Sequence, residues 1–137
     1  MSSNSECRSE QPPLRLGVIG LGRGFMLTLP SLLADERVKL VSACAPRASS
    51  RASFEKEFGG RTYDRVEDIC ADPDVEAVYI ATPHQMHVDH VSIAARAGKH
   101  VLVEKPLAIS LEDGIKMVEA CEQAGVQLIV GPSHSFD

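Results

Sequence analysis

A glycine-rich segment near the start of the chain has the residue types and spacing to bind a diphosphate. Gly20-Leu21-Gly22-Arg23-Gly24 follows the apolar run Leu16 to Ile19 and precedes a segment of helical period. Gly20 would permit a tight turn, and Gly22, which lacks a Cβ, would let the backbone approach a pyrophosphate. The amides at the N-terminus of the following helix carry about half a positive charge and would face the anion. We therefore predict a dinucleotide-binding turn at residues 20–25.

This segment departs from the G-x-G-x-x-G pattern at one position. The third glycine would fall where Phe25 stands, and Gly24 could serve instead. A large side chain there threatens close packing of the helix on the strand, so we expect a local turn that differs from the standard one. The alternative is that the glycines only form a tight turn, but the strand before them and the alternating pattern after them favour a cofactor site.

The end of the second predicted strand should meet the ribose of the cofactor. An acidic residue about 20 residues past the glycines normally accepts the 2′-hydroxyl of NAD. Here the stretch Ser42 to Arg47 holds no carboxylate. Arg47 or Arg51 could pair bidentately with a 2′-phosphate, unless Arg47 is simply a solvated surface residue. The sequence therefore allows NAD or NADP as the cofactor.

Two further polar clusters follow the fourth and fifth predicted strands. The first is Ala81-Thr82-Pro83-His84 with His87, and the second is Glu104-Lys105-Pro106. Because ligands of open parallel sheets lie beyond the carboxyl ends of the strands, we expect both clusters at the cofactor site. Pro106 disfavours the helical region for Lys105, which is then held extended at the strand end. Its ammonium group could hydrogen-bond a substrate hydroxyl and move a proton during hydride transfer, although many lysines are only solvated charges.

Three histidines, His84, His87 and His90, form H-x-x-H-x-x-H, a spacing that suggests metal binding. On a helix, however, residues six apart diverge by about 120 degrees, and His84 precedes the predicted helix. We therefore expect no metal site here. A cofactor or substrate contact from His84 or His87 is the favoured interpretation, and a solvated helix face is the alternative.

Short apolar runs alternate with longer segments of helical period, which is typical of βαβ units. The predicted fold class is therefore α/β, a Rossmann-type doubly wound parallel sheet. The predicted strands are Leu16 to Ile19, Lys39 to Ala43, Arg61 to Tyr63, Ala77 to Ala81, His100 to Val103 and Val126 to Val130. The predicted helices are Ser50 to Phe58, Val66 to Ala71, His87 to Ala97 and Leu111 to Ala124.

Glycine and proline mark the helix boundaries. Gly59, Gly98 and Gly125 follow three predicted helices at the position where a helix commonly stops. Pro30 lies inside the helical segment after the first strand, where it would lose a backbone donor and crowd the preceding turn. We expect a kink or a restart at this proline.

Composition narrows the classes of protein. The 137 residues carry 14 Lys and Arg against 19 Asp and Glu, and only four Phe, two Tyr and no Trp, so general nucleic-acid binding is not expected. No run of eighteen apolar residues predicts a membrane span. The four cysteines are scattered, which favours reduced thiols in the cytoplasm. Residues 1–13 are predicted to be a flexible tail and residues 14–137 a single domain that is cut before a substrate domain.

The motifs together resemble a known family. Gly20-Leu21-Gly22, Ala81-Thr82-Pro83 with His87, and Glu104-Lys105-Pro106, in this order and spacing, resemble the amino-terminal domain of the Gfo/Idh/MocA oxidoreductases. The E-K-P element is the specific part of this resemblance. The wider run, including residues 134–137, is similar to the branch that contains phthalate 4,5-cis-dihydrodiol dehydrogenases.

The resemblance implies NAD(P)-dependent hydride transfer at a hydroxyl-bearing carbon of a cyclic diol, polyol or sugar. Lys105 would be the catalytic lysine, and Thr82-Pro83 would lie beside the nicotinamide. Family members complete the site with a second domain that usually makes the oligomer interface, so we expect a homo-oligomeric parent and an isolated chain that binds cofactor with little or no turnover. Two alternatives are a non-catalytic Rossmann module that binds or senses a nucleotide and a fold that binds S-adenosylmethionine, for which the E-K-P element has no use.

Overall fold

The computed structural model describes residues 12–82, 86–104 and 111–131. Within them, six parallel strands form one sheet in the order β3-β2-β1-β4-β5-β6. The strands are β1 (Leu14–Ile19), β2 (Val38–Cys44), β3 (Arg61–Tyr63), β4 (Ala77–Ile80), β5 (His100–Glu104) and β6 (Leu128–Gly131). The strand order reverses between β1 and β4, which is the point where doubly wound sheets open a crevice for ligands. The predicted fold class is confirmed.

Five helices connect the described strands. They are α1 (Arg23–Ala34), α2 (Ala48–Phe58), α3 (Val66–Cys70), α4 (His87–Arg96) and α5 (Leu111–Ala124). The four helices predicted with boundaries agree with these to within two residues. Gly59, Gly98 and Gly125 have φ values of 73°, 82° and 74°, the left-handed conformation that ends a helix and that glycine adopts without strain.

The first helix contains a proline in its interior. Helix α1 is continuous from Arg23 to Ala34, so the restart expected at Pro30 is wrong. Pro30 is exposed, while Phe25 and Leu29 on the opposite side of the helix are buried. The packing of this apolar side against the sheet offsets the backbone hydrogen bond that Pro30 cannot donate.

Helices cover both faces of the sheet and form two apolar cores. The first core lies under α1 and α2 and contains Leu16, Val18, Phe25, Leu29, Leu32, Ala43, Phe54, Ala77 and Tyr79. The second lies under α3, α4 and α5 and includes Ile19, Ile69, Val78, Ile80, Val91, Val101, Val103 and Met117. Successive strand residues alternate between these cores, which explains why the strands are apolar on both faces.

Three cysteine thiols belong to the second core. Cys44, Cys70 and Cys121 are buried and unpaired in the described residues. Burial raises the pKa of the Cys44 thiol to about 12 and that of Cys70 to about 11. These thiols are therefore protonated and unreactive at neutral pH.

A buried lysine connects the amino ends of two central strands. The Nζ of Lys99, just before β5, donates to the carbonyl oxygens of Asp72 at 2.8 Å and Val75 at 2.6 Å, just before β4. The Asp72 carboxylate accepts hydrogen bonds from the Tyr63 hydroxyl at 2.7 Å and the Asp74 amide at 2.8 Å. This network holds the start of β4 against β5 and thereby sets where their carboxyl ends lie.

None of the helices in residues 12–82, 86–104 and 111–131 is long and apolar enough to cross a membrane.

Lys99→Met tests the network at the amino edge. The methionine keeps the apolar stem but removes the donors to two buried carbonyls, so the free energy of unfolding should fall by about 1–3 kcal/mol in urea denaturation. Lys56→Met, at an exposed position on α2, is the matched control and should change it by less than about 0.5 kcal/mol. Equal effects of the two substitutions would show that the network contributes nothing to stability.

Candidate functional site

The glycine turn begins where β1 ends, and Gly20 is enclosed by the neighbouring strands. The Gly20 amide donates to the Cys44 carbonyl at 2.9 Å, and the Ala81 amide donates to the Ile19 carbonyl at 2.8 Å. Gly20 has a φ of 100°, and a Cβ added there would lie 3.1 Å from the Ala81 carbonyl carbon and oxygen. Both the conformation and the close approach of β4 therefore require glycine at this position.

Gly22 lies in a different environment, because a Cβ added to it would meet none of the described atoms within 4 Å. Its φ of −94° and ψ of −155° are open to any residue. Gly22 is the N-cap of α1, makes no side-chain capping bond, and is followed by a first turn without acidic residues. The described contacts do not require glycine here, and the space in front of the α1 amides can accommodate an anion.

Phe25 and Leu21 face the gap between α1 and α2. Phe25 is 3% exposed and packs in the first core, and the expectation of a turn that differs from the standard one stays a prediction. Both residues line a cleft of about 230 Å³ together with Met26, Phe54 and Phe58. The Phe25 side chain is thus committed to the core, and only its backbone amide is left for the predicted cofactor contact.

The two arginines after β2 have different surroundings. The Arg51 guanidinium donates to the Ala45 carbonyl at 2.7 Å and thereby stabilises the turn between β2 and α2. Arg47 is exposed and is the N-cap of α2, whose first turn contains no acidic residue. Of the two candidates for a 2′-phosphate, Arg47 is the one at a helix N-terminus with its side chain in solvent.

Two histidines of α4 lie within hydrogen-bond distance of Thr82, which is in the loop after β4. The Nε2 of His87 lies 2.8 Å from the Thr82 carbonyl oxygen, and since a carbonyl only accepts, Nε2 carries the proton and donates. The Nδ1 of His90 is hydrogen-bonded to the Thr82 hydroxyl at 2.9 Å. His87 and His90 are both buried. The His87 ring therefore contacts the loop after β4, and its direct contact with a cofactor stays a prediction.

The contact between His90 and Thr82 did not emerge from the sequence. His90 lies three residues after His87 and so shares its helix face, which was the available signal. Burial lowers the pKa of His90, the adjacent His87 lowers it further, and Asp89 and Glu67 oppose the shift. His90 is therefore neutral at pH 7.

The ends of three neighbouring strands meet at the glycine turn. Ile19 of β1 pairs with Ile80 of β4, and Ile80 pairs with Val103 of β5. Ala81 and Thr82 follow β4 directly, and Glu104 is the last residue of β5. The strand register thus brings the glycine turn, Ala81, Thr82 and the backbone of Glu104 to one edge of the sheet, as predicted.

Several predicted site residues lie outside the described residues, namely Pro83, His84, Lys105 and Pro106. Their roles stay predictions, as do those of Arg23, Gly24 and Glu104, which the structure places by backbone at the start of α1 and the end of β5. No group of three or more His, Cys, Asp or Glu residues that could hold a metal ion occurs in the part of the chain that is described. His84 is not covered by that finding.

Comparison with known proteins agrees with a nucleotide site at this edge. The model of the oxidoreductase family with an NAD-binding Rossmann fold, GFO_IDH_MocA, matches residues 14–132. A 3-ketoreductase from Actinomadura kijaniata, whose crystal structure contains NADP and TDP-benzene, superposes with a TM-score of 0.81 at 30% identity. That match covers 87% of this chain and 37% of the ketoreductase.

Two curated relatives are dehydrogenating or reducing enzymes. The 1-carboxy-3-chloro-3,4-dihydroxycyclohexa-1,5-diene dehydrogenase of Comamonas testosteroni is 51% identical over 125 residues, which are 90% of this chain and 32% of that enzyme. The 1,5-anhydro-D-fructose reductase of Ensifer adhaerens is 40% identical over 124 residues, 88% of this chain and 36% of the reductase. The chain thus spans about a third of the length of these relatives.

The variants Gly22→Ala and Gly20→Ala test two different reasons for glycine. At position 22 the reason is space for a ligand, and at position 20 it is a backbone conformation that other residues adopt only with strain. Gly22→Ala should cost less than about 1 kcal/mol of stability, because its Cβ enters open space, but should weaken NAD⁺ binding roughly tenfold or more. Gly20→Ala should destabilise the fold by about 1–3 kcal/mol through its positive φ and the contact with β4. Thermal unfolding and isothermal titration with NAD⁺ measure both effects. Unchanged NAD⁺ affinity in Gly22→Ala would contradict the assignment of this space to a diphosphate.

Proposed function

Because the chain belongs to the Gfo/Idh/MocA family of oxidoreductases with an NAD-binding Rossmann fold, we propose that it is the cofactor-binding part of an NAD(P)-dependent dehydrogenase. The observation that carries this proposal is the open space at Gly22, in front of the α1 amides, which no described side chain caps. That space fits the diphosphate of a dinucleotide, since a Cβ would occupy it and no internal packing needs the glycine.

The residues at this edge of the sheet would have different roles in the reaction. A bound nicotinamide supplies the site that accepts or donates a hydride. The amides after Gly22 would bind the diphosphate, and Thr82 would form a wall beside the glycine turn, which its methyl group approaches. Lys105, the residue after β5, would hold the substrate hydroxyl at its Nζ and take up or return the hydroxyl proton as the carbon is oxidised or reduced.

The substrate class we propose is a hydroxyl-bearing carbon of a cyclic diol, polyol or sugar. Named relatives include the carboxylated cyclohexadiene diol dehydrogenase, 51% identical, and a myo-inositol 2-dehydrogenase from Thermotoga maritima, 31% identical over 125 residues. The higher identity to the diol enzyme favours a ring diol, with phthalate 4,5-cis-dihydrodiol as a specific candidate.

We further propose the organisation of the parent protein. Residues 14–137 would form the dinucleotide-binding domain after a tail of 13 residues, and a second domain would complete the substrate site and the homo-oligomer interface. The supporting fact is that the chain spans about a third of its relatives. The net charge of −5 argues against a nucleic-acid partner, and the scattered cysteines support a cytoplasmic enzyme with small-molecule ligands.

Arg47→Ala tests the choice between NAD and NADP. If Arg47 pairs with a 2′-phosphate, the substitution should weaken NADPH binding roughly tenfold and change NADH binding by less than about twofold. Arg65→Ala is the matched control, because Arg65 is also an exposed arginine at a helix N-cap. Fluorescence titration with both cofactors gives the affinities. A wild-type preference for NADH of tenfold or more would reject the role of Arg47.

Lys105→Ala tests the chemistry in a parent protein that contains the substrate domain. Hydride transfer should fall by at least about a hundredfold while the affinity for NAD⁺ stays within about threefold, because the lysine acts on the substrate proton. Lys116→Ala, at an exposed position on α5, is the control that should retain activity. If the parent protein turns over substrate and Lys105→Ala retains that activity, the catalytic role of Lys105 is excluded. If the unmodified parent protein shows no turnover, the result favours a nucleotide sensor.

The 137-residue chain itself should bind NAD⁺ and show little or no dehydrogenase activity, since it would lack the substrate domain. Robust turnover by this chain would contradict the proposed division into two domains.

A further inference from the structure

Thr82 has all of its described polar contacts on the α4 side. Its carbonyl accepts from His87 at 2.8 Å, and its hydroxyl is hydrogen-bonded to His90 at 2.9 Å. Its methyl carbon Cγ2 lies 3.1 Å from the position that a Cβ on Gly20 would occupy. Thr82 thus presents an apolar methyl group to the glycine turn and keeps its hydroxyl away from it.

The geometry points to His90 as a positioning residue of the proposed cofactor site, one that holds the Thr82 hydroxyl toward α4 so that the methyl group forms the wall beside the glycine turn. This inference rests on the proposed function. His90 makes this contact through Thr82 and so differs from a residue that touches the cofactor.

The hydrogen bond to His90 can set the orientation of the Thr82 side chain because threonine has few rotamers. A β-branched side chain occupies one of three staggered χ1 rotamers, and each places the hydroxyl and the methyl in different directions. Without the bond to His90, a rotamer that turns the hydroxyl toward the glycine turn becomes accessible. That rotamer would put a polar group where the structure has the Thr82 methyl, which lies 3.1 Å from the position that a Cβ on Gly20 would occupy, and would change the shape of the cofactor wall.

The hydrogen bond does not require one charge state of His90. Neutral His90 can accept the Thr82 hydroxyl proton at Nδ1, and the imidazolium form can donate its Nδ1 proton to the same hydroxyl oxygen, so Thr82 is held in either state. The charged groups that face His90 are His87 and Asp89 on its own helix and Glu67 on α3. Because burial and His87 lower the pKa of His90, the neutral form is complete above the ordinary value of about 6.5 and is lost only as the pH falls through a lower value.

Two variants of His90 test its hydrogen bond to Thr82. In His90→Asn, the amide occupies the position of Nδ1 and can bond the hydroxyl. In His90→Leu, the bond is lost. The readout is the affinity for NAD⁺, measured by isothermal titration at pH 7.5 on the 137-residue chain.

At pH 7.5, His90→Leu should bind NAD⁺ roughly three- to tenfold more weakly than wild type, and His90→Asn should bind it within about twofold. Thr82→Val keeps a methyl group toward the glycine turn and has no hydroxyl that could turn there, so it should bind NAD⁺ within about twofold of wild type. For the same reason, adding His90→Leu to Thr82→Val should cause no further loss of affinity beyond about twofold.

Three results would overturn the inference about His90. The first is wild-type affinity in His90→Leu, the second is a loss of affinity in His90→Asn equal to that in His90→Leu, and the third is an undiminished effect of His90→Leu when Thr82 is already valine. If His90→Leu does not fold, Thr82→Ser, which removes the methyl group, decides the matter, and wild-type affinity in Thr82→Ser would then overturn the inference. If the wild-type chain binds no NAD⁺ at pH 7.5, the proposed function and this inference both fail. If the wild-type chain binds NAD⁺ and changes at His90 do not alter the affinity, only this inference fails.

Discussion

The close contact between Gly20 and the end of β4 is the constraint on which the rest of the site depends. A Cβ at Gly20 would lie 3.1 Å from the Ala81 carbonyl, so the turn after β1 is held against the neighbouring strand. Two residues later the backbone at Gly22 faces open space and leads into an uncapped helix. A tight turn followed at once by free amides is an arrangement that suits the binding of an anion at the switch point of a parallel sheet.

The two edges of the sheet have different chemistry. At the amino edge, the Lys99 ammonium and the Asp72 carboxylate satisfy buried polar groups with bonds of 2.6–2.8 Å and contribute to stability. At the carboxyl edge, the first turns of α1 and α2 contain no acidic residue although the chain is acidic overall. The N-termini of α1 and α2 are therefore suited to a negatively charged ligand, whereas the first turns of α3, α4 and α5 carry acidic residues.

Much of this architecture could be predicted because it is encoded locally. Strands covered on both faces are continuously apolar, and Gly59, Gly98 and Gly125 mark helix ends directly. The resemblance to the Gfo/Idh/MocA oxidoreductases, based on short motifs, is confirmed by the family match over residues 14–132. One error arose where tertiary packing decides the outcome. Helix α1 has no restart at Pro30, because its apolar side packs against residues that are distant in sequence.

The hydrogen bond between His90 and Thr82 depends on how α4 packs against the end of β4, which no local pattern reports. The roles of four further residues were also predicted from the sequence. These residues lie outside the described ranges and are Pro83, His84, Lys105 and Pro106. The account of the site therefore depends most on the glycine turn.

The most direct test of this account is a titration of the ¹⁵N-labelled 137-residue chain with NAD⁺ and NADP⁺, followed by the chemical shifts of its backbone amides. The account predicts that the largest changes occur at residues 20–25, with smaller ones at Ala81 and Thr82, and that the amides near Asp72 and Lys99 at the amino edge do not change. Changes confined to the amino edge, or no change at the glycine turn at saturating concentrations of either nucleotide, would contradict it.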